Sequence, residues 1–74
     1  MGISRLTALI IQTNEVGVDT FKERDNNYGF EIGRMEHDNY RPCLTSQPVY
    51  PNEIAAREAG EKLVEDVRAL DLTV

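Results

Sequence analysis

The sequence predicts an α+β fold: an antiparallel meander of three or four strands, followed by one C-terminal helix packed on one face of it. Three observations carry this expectation. Turn-forming Asn, Asp, Gly and Pro recur at residues 14–17, 25–27, 36–39 and 48–52, dividing the first fifty residues into short segments. Within one segment Tyr28, Phe30 and Ile32 alternate with Gly29, Glu31 and Gly33, the period of a half-buried strand. From Glu53 onward the apolar residues recur at spacings of three and four, the period of an amphipathic helix. No repeat or low-complexity stretch interrupts the pattern, so residues 1–74 are read as a single domain.

The first segment, 4–13, is read as a strand. It is apolar on both faces, with Leu6, Ala8 and Ile10 pointing one way and Thr7, Leu9 and Ile11 the other. A short apolar run also fits a helix; strand is preferred because Ile-Ile-Gln-Thr favours β structure and no cap is read before it. A second strand spans 18–24 and is anchored by Phe21. The third spans 28–35, and its glycines on the far face leave room for a close approach or a bulge. The fourth spans 40–47 and contains Pro42, which has no N–H for a ladder and therefore belongs at a sheet edge. Pro48 and Pro51 stop that strand. Asn52 is placed to cap a helix over 53–70, whose buried stripe is Ala56, Gly60, Leu63, Val67 and Leu70, with Ala59 and Val64 at its flank. A glycine on a buried stripe implies a close approach of helix to sheet.

Composition narrows the function. The 74 residues carry a net charge of −5, with 41% apolar and 28% charged residues, which fits a folded domain and disfavours binding to a nucleic-acid backbone. The longest apolar run, residues 8–11, is far too short to span a bilayer. Met1-Gly2 opens neither an export signal nor a myristoylation motif, and Cys43 stands alone, so a cytoplasmic protein is expected. One small core supplies a stability of only ~3–5 kcal/mol, and without disulfide or zinc spacing the common supplement is oligomerisation.

The candidate chemistry is sparse. His37, between Glu36 and Asp38, has the residue types of a metal site, but adjacent turn residues rarely converge on one ion. Cys43 and His37 supply a thiol and a base without an oxyanion motif. Tyr28, Tyr40 and Tyr50 with Arg24, Arg34 and Arg41 resemble in composition a stacking platform, whose field the interspersed acids cancel. No catalytic residue, cofactor or metal is assigned.

The run Ser46-Gln-Pro-Val-Tyr50 leading into Ala55 and Ala56 resembles small bacterial sheet-plus-helix domains of the YegP type, over roughly the last half of the chain. The Asn-Gly hairpin turn usual in that family is missing. The resemblance implies an α+β unit and no activity.

One helix covers one sheet face only. The other is expected to keep an apolar patch with Leu9, Ile11 and Phe21, beside an unprotected edge on the first strand. The expected function is therefore a non-enzymatic protein-interaction module, a homodimer or a binder of a protein partner, with no membrane and no nucleic acid. The alternatives are an inhibitor or regulator acting through the acidic helix face of Glu58, Glu61, Glu65 and Asp66, and more remotely a Cys/His enzyme.

Overall fold

A computed structural model describes residues 3–72; Met1 and Gly2, with the export and myristoylation readings of them, lie outside the described residues, as do Thr73 and Val74. The α+β class is as expected, with one correction. The N-terminal segment is a helix, α1 (Arg5–Thr13), and not a strand. Its cap is Ser4, whose hydroxyl accepts from the Thr7 amide at 3.1 Å. The run's β propensity does not decide the outcome. What decides is burial at helical spacing: Ala8 and Ile11 enter the core together.

The sheet has three strands, β1 (Val16–Lys22), β2 (Tyr28–Glu36) and β3 (Asn39–Thr45), all antiparallel in the order β1-β2-β3. The β1–β2 turn places Asp25 and Asn26 at φ 66° and 60°, and the β2–β3 turn places His37 at φ 55°. Asn and Asp tolerate this left-handed region better than other residues that have a Cβ, which is why the first of these turns is legible in sequence. Between Ile32 and Gly33 the register slips: Ile32 faces Leu44 and Gly33 faces Pro42, so Cys43 is the extra residue of a bulge. Pro42 sits on an edge strand, as its missing N–H requires.

The C-terminal helix, α2 (Glu53–Arg68), starts where expected, with the Asn52 side chain accepting from the Ala55 amide at 2.8 Å. Its buried line is Ala56, Gly60, Val64 and Val67. Val64 thus belongs to the stripe rather than its flank, Leu63 is half-buried, and Leu70 is exposed beyond the helix end. Both helices lie on one face of the sheet. Ala8, Ile11, Phe30, Ile32, Val64 and Val67 form the core between them.

The C-terminal ends of the two helices cap each other. Gln12 Nε2 donates to the Val67 and Leu70 carbonyls at 2.8 and 2.9 Å. In return Arg68 Nε donates to the Ile11 carbonyl at 3.3 Å and Arg68 Nη2 to that of Asn14 at 3.2 Å. These satisfy carbonyls that a helix end leaves open, and the guanidinium sits at the negative end of α1's dipole. Replacing Arg68 with methionine keeps the stem and removes the donors. It is expected to cost about 1–2 kcal/mol, read as a lower urea midpoint at unchanged slope. An unmoved midpoint would show that water serves these carbonyls as well.

Candidate functional site

The three residues expected to share one apolar surface do not share it. Ile11 is fully buried, at 0% exposure, on the inner side of α1. Phe21 lies on the sheet face opposite the helices, its ring over Gly29, where a Cβ would come within 2.3 Å of the ring. Leu9, 37% exposed, is on the outer side of α1. The single patch came from reading residues 4–13 as a strand, which alternates Leu9 and Ile11 onto one side; a helix sends them apart.

Two surfaces replace it. The first is the open face of the sheet. Phe21 covers Gly29, and Tyr40 covers Gly33 in the same way. Both glycines of β2 therefore accommodate aromatic rings laid across the strand, the close approach expected of them. Between the rings Asp19 and Glu31 stand directly opposite each other, a cross-strand pair of like charge that costs stability. Apolar atoms are thus confined to two strips at either side of an acidic centre, an unsuitable seat for a second copy of the same face.

Tyr40 reports on this face. Its hydroxyl donates to the Glu31 carbonyl at 3.4 Å. Burial, and then the Glu31 carboxylate, push its pKa up to about 12 from the usual 10.0. The folded chain therefore keeps the phenol proton where the unfolded chain has lost it. This contribution to stability is complete below pH 10 and is lost as the pH rises toward 12. Ultraviolet titration of tyrosinate is expected to show one phenol ionising late. Gly33→Ala, which displaces the ring into water, should return it toward the ordinary value. A late phenol that survives Gly33→Ala would place the cause elsewhere.

The second surface is the outside of α1. Leu6 is 70% exposed, Leu9 is exposed and Ile10 half-buried, at the i, i+3, i+4 spacing of one helical stripe. Only Arg5 is charged among the nine residues of α1. The other exposed large apolar residues among those described, Met35, Val49, Ile54 and Leu70, fall singly on separate elements or connections. Isolated apolar residues are normal on a surface; a repeated stripe is not.

The edge expected on a strand over 4–13 does not exist, because that segment is α1; the free edge of the sheet is that of β1, and it is guarded. Arg57 Nη1 donates to the Val18 carbonyl at 3.0 Å, and Asp19 Oδ1 accepts from the Thr20 amide at 2.9 Å. Side chains thus occupy groups that would template an added strand.

The remaining candidates are dispersed. His37 is exposed at the β2–β3 turn, whereas the Cys43 thiol donates to the Ile32 carbonyl at 3.3 Å. Ile32 lies five residues from His37 along β2, about 16 Å at the rise of a strand. Burial pushes the Cys43 thiol up, against the lowering effect of Arg34, so the thiolate needed for nucleophilic chemistry is disfavoured. Among the described residues no group of three or more His, Cys, Asp or Glu is placed to hold a metal ion. Tyr28 and Tyr50 pair through a backbone bridge, while Tyr40 is on the opposite sheet face, so the three tyrosines form no common platform. On α2 the ion pairs Glu53–Arg57 and Lys62–Asp66, at 3.6 and 3.3 Å, engage Asp66 alone of the four acids of that face and set Arg57 and Lys62 beside it. No described helix is long and apolar enough to cross a membrane.

Sequence would have found the α1 stripe had Ser4 been read as a cap, since Ser just before an apolar run is a helix-start signal of modest strength without Glu or Gln three residues on. Compared with family models, with curated proteins and with solved structures, the chain matches none.

Proposed function

We propose that the protein is a non-enzymatic interaction module that associates with a second copy of itself through the outer face of α1. One observation carries the reading: α1 is apolar on both sides. A surface helix normally keeps its outer side polar, yet α1 carries Leu6, Leu9 and Ile10 away from the side of Ala8 and Ile11 that the fold covers. Leu6, Leu9 and Ile10 ask for a partner helix. A two-fold axis brings the same stripe from a second chain against them, ridge into groove, with no opposing charge to bury. The guarded β1 edge and the acidic sheet centre leave this stripe as the surface best suited to a second copy. The thin core expected of so short a chain gains most from such a supplement. A single cysteine has no partner in the chain for a disulfide, which suits a reducing compartment, and we place the protein in the cytoplasm.

Light scattering at micromolar concentration is expected to give twice the 8.4 kDa mass of one chain. Leu9→Glu should return it to the single-chain mass with unchanged circular dichroism, because Leu9 contributes little to the core. A native chain that scatters as a monomer through hundreds of micromolar would sink the proposal.

A further inference from the structure

A groove opens between α1 and β3, sharing only Ile10 with the α1 stripe. Its volume is about 380 Å³, and Ile10, Arg34, Arg41, Pro42 and Cys43 line it. Three walls are apolar or weakly polar, two are guanidinium groups, and none is acidic. Arg34 and Arg41 are direct cross-strand partners. Two like charges held opposite each other cost stability. They share one carboxylate, with Glu36 Oε2 at 3.0 Å from Arg34 Nη2 and 3.8 Å from Arg41 Nε. Two guanidinium groups carry about ten N–H donors between them, against roughly four acceptor sites on one carboxylate. The pair is left with a charge of +1 in a chain whose total is −5.

The geometry points to this groove as a docking site for an acidic, apolar segment of a partner protein, in which a bulky aliphatic side chain stands next to Asp or Glu. The aliphatic group fits among Ile10, Pro42 and Cys43, and the carboxylate meets the planar donors of Arg34 and Arg41, whose shape suits bidentate binding. Other occupants fit less well. A second copy docking groove to groove would set arginine pairs against each other. A nucleic acid needs a longer basic track than one arginine pair supplies, and its phosphates gain nothing from an apolar floor. Simple strand addition at β3 is hindered, because Pro42 lacks an N–H and Cys43 bulges. Recognition rests on side chains, and it does not depend on α1 self-association.

The test uses the intact, isotope-labelled protein and two capped hexapeptides, Glu-Leu-Glu-Leu-Glu-Leu and its Lys-Leu counterpart, followed by NMR. The Glu-Leu peptide is expected to shift the amides of Ile10, Arg34, Arg41 and Cys43, to bind more weakly as salt is raised, and to slow modification of Cys43 by a thiol reagent. Arg41→Glu should weaken binding at least tenfold. Because Arg41 is largely exposed, its side chain at 67%, the rest of the spectrum should stay in place. Arg41→Gln, which adds no new charge, should show a smaller loss in the same direction. Equal binding of the Lys-Leu peptide, shifts centred on the open sheet face, or Arg41 variants that bind as the native chain does would each overturn the assignment. So would a single-stranded oligonucleotide that shifts the groove residues more strongly than the peptide.

Discussion

Ile11→Ala is expected to remove most of the stability of the chain, while Leu9→Ala, two residues away, is expected to leave it almost unchanged. Ile11 is fully buried and packs in one cluster with Phe30, Ile32, Val64 and Val67. Truncating a buried isoleucine costs about 2–5 kcal/mol, the lost transfer energy plus the cavity. A single core of this size supplies only ~3–5 kcal/mol. Leu9 is at the surface, where substitutions usually stay within about 0.5 kcal/mol. Urea unfolding monitored by circular dichroism distinguishes the two. Similar losses from both variants would show that the outer stripe is part of the core. The comparison is made at a concentration low enough to keep both chains monomeric, since self-association through Leu9 adds stability by mass action that Leu9→Ala would lose.

The second large effect is at Gly60. A Cβ there would lie 2.6 Å from Val18 Cγ1 and 2.9 Å from Phe30 Cδ1. Alanine gains about 1 kcal/mol of helix propensity over glycine, but overpacking a core costs about 1–3 kcal/mol. The contacts at Gly60 are with a branched methyl and a buried ring, neither of which swings aside, so the overpacking side should win. Gly60→Ala is expected to destabilise modestly, and Gly60→Leu to leave little folded protein. Val18→Ala removes the nearer obstacle. In that background Gly60→Ala should cost less than it does alone, a coupling that a double-mutant cycle reads directly. Additive losses would mean that the helix already stands off from β1.

The contrast between the two helices shows what sequence could and could not supply. Around α2 every local signal agreed. Pro48 and Pro51 end the preceding strand, Asn52 caps the helix, and Gly60 marks the close approach to the sheet. In β2 the alternation of Tyr28, Phe30 and Ile32 against Gly29 and Gly33 was equally plain, though not that the glycines carry the rings of Phe21 and Tyr40. That fact depends on register across two turns. Around α1 the signals conflicted. Its nine residues are apolar on both sides and contain β-branched Ile10, Ile11 and Thr13, so periodicity was silent and propensity pointed to a strand. Tertiary terms reversed the outcome: burial of Ala8 and Ile11 and the caps exchanged with α2, whose partners lie more than fifty residues away. The candidate surface inherited the same ambiguity, since Leu9 and Ile11 share a side only in a strand. The arginine groove was hidden for another reason. It joins one residue of α1 to a bulge in β3, and neither the docking of α1 nor the bulge is written locally.

The meeting of α1 with the end of α2 also bears on the order in which the chain assembles. Arg5 Nη2 donates to the Leu72 carbonyl at 2.9 Å, and the reciprocal caps span separations of 54 to 58 residues. The polypeptide is thus nearly a ring with a single cut. Contacts that close so large a loop repay their entropy last, whereas the two hairpins of the sheet close early. Joining residues 3 and 72 through a linker and opening the exposed turn at His37 would retain the Ser4 cap and the core and exchange the ranks of their contacts. The docking of α1 on α2 would become local and early, and the pairing of β2 with β3 would become the late step.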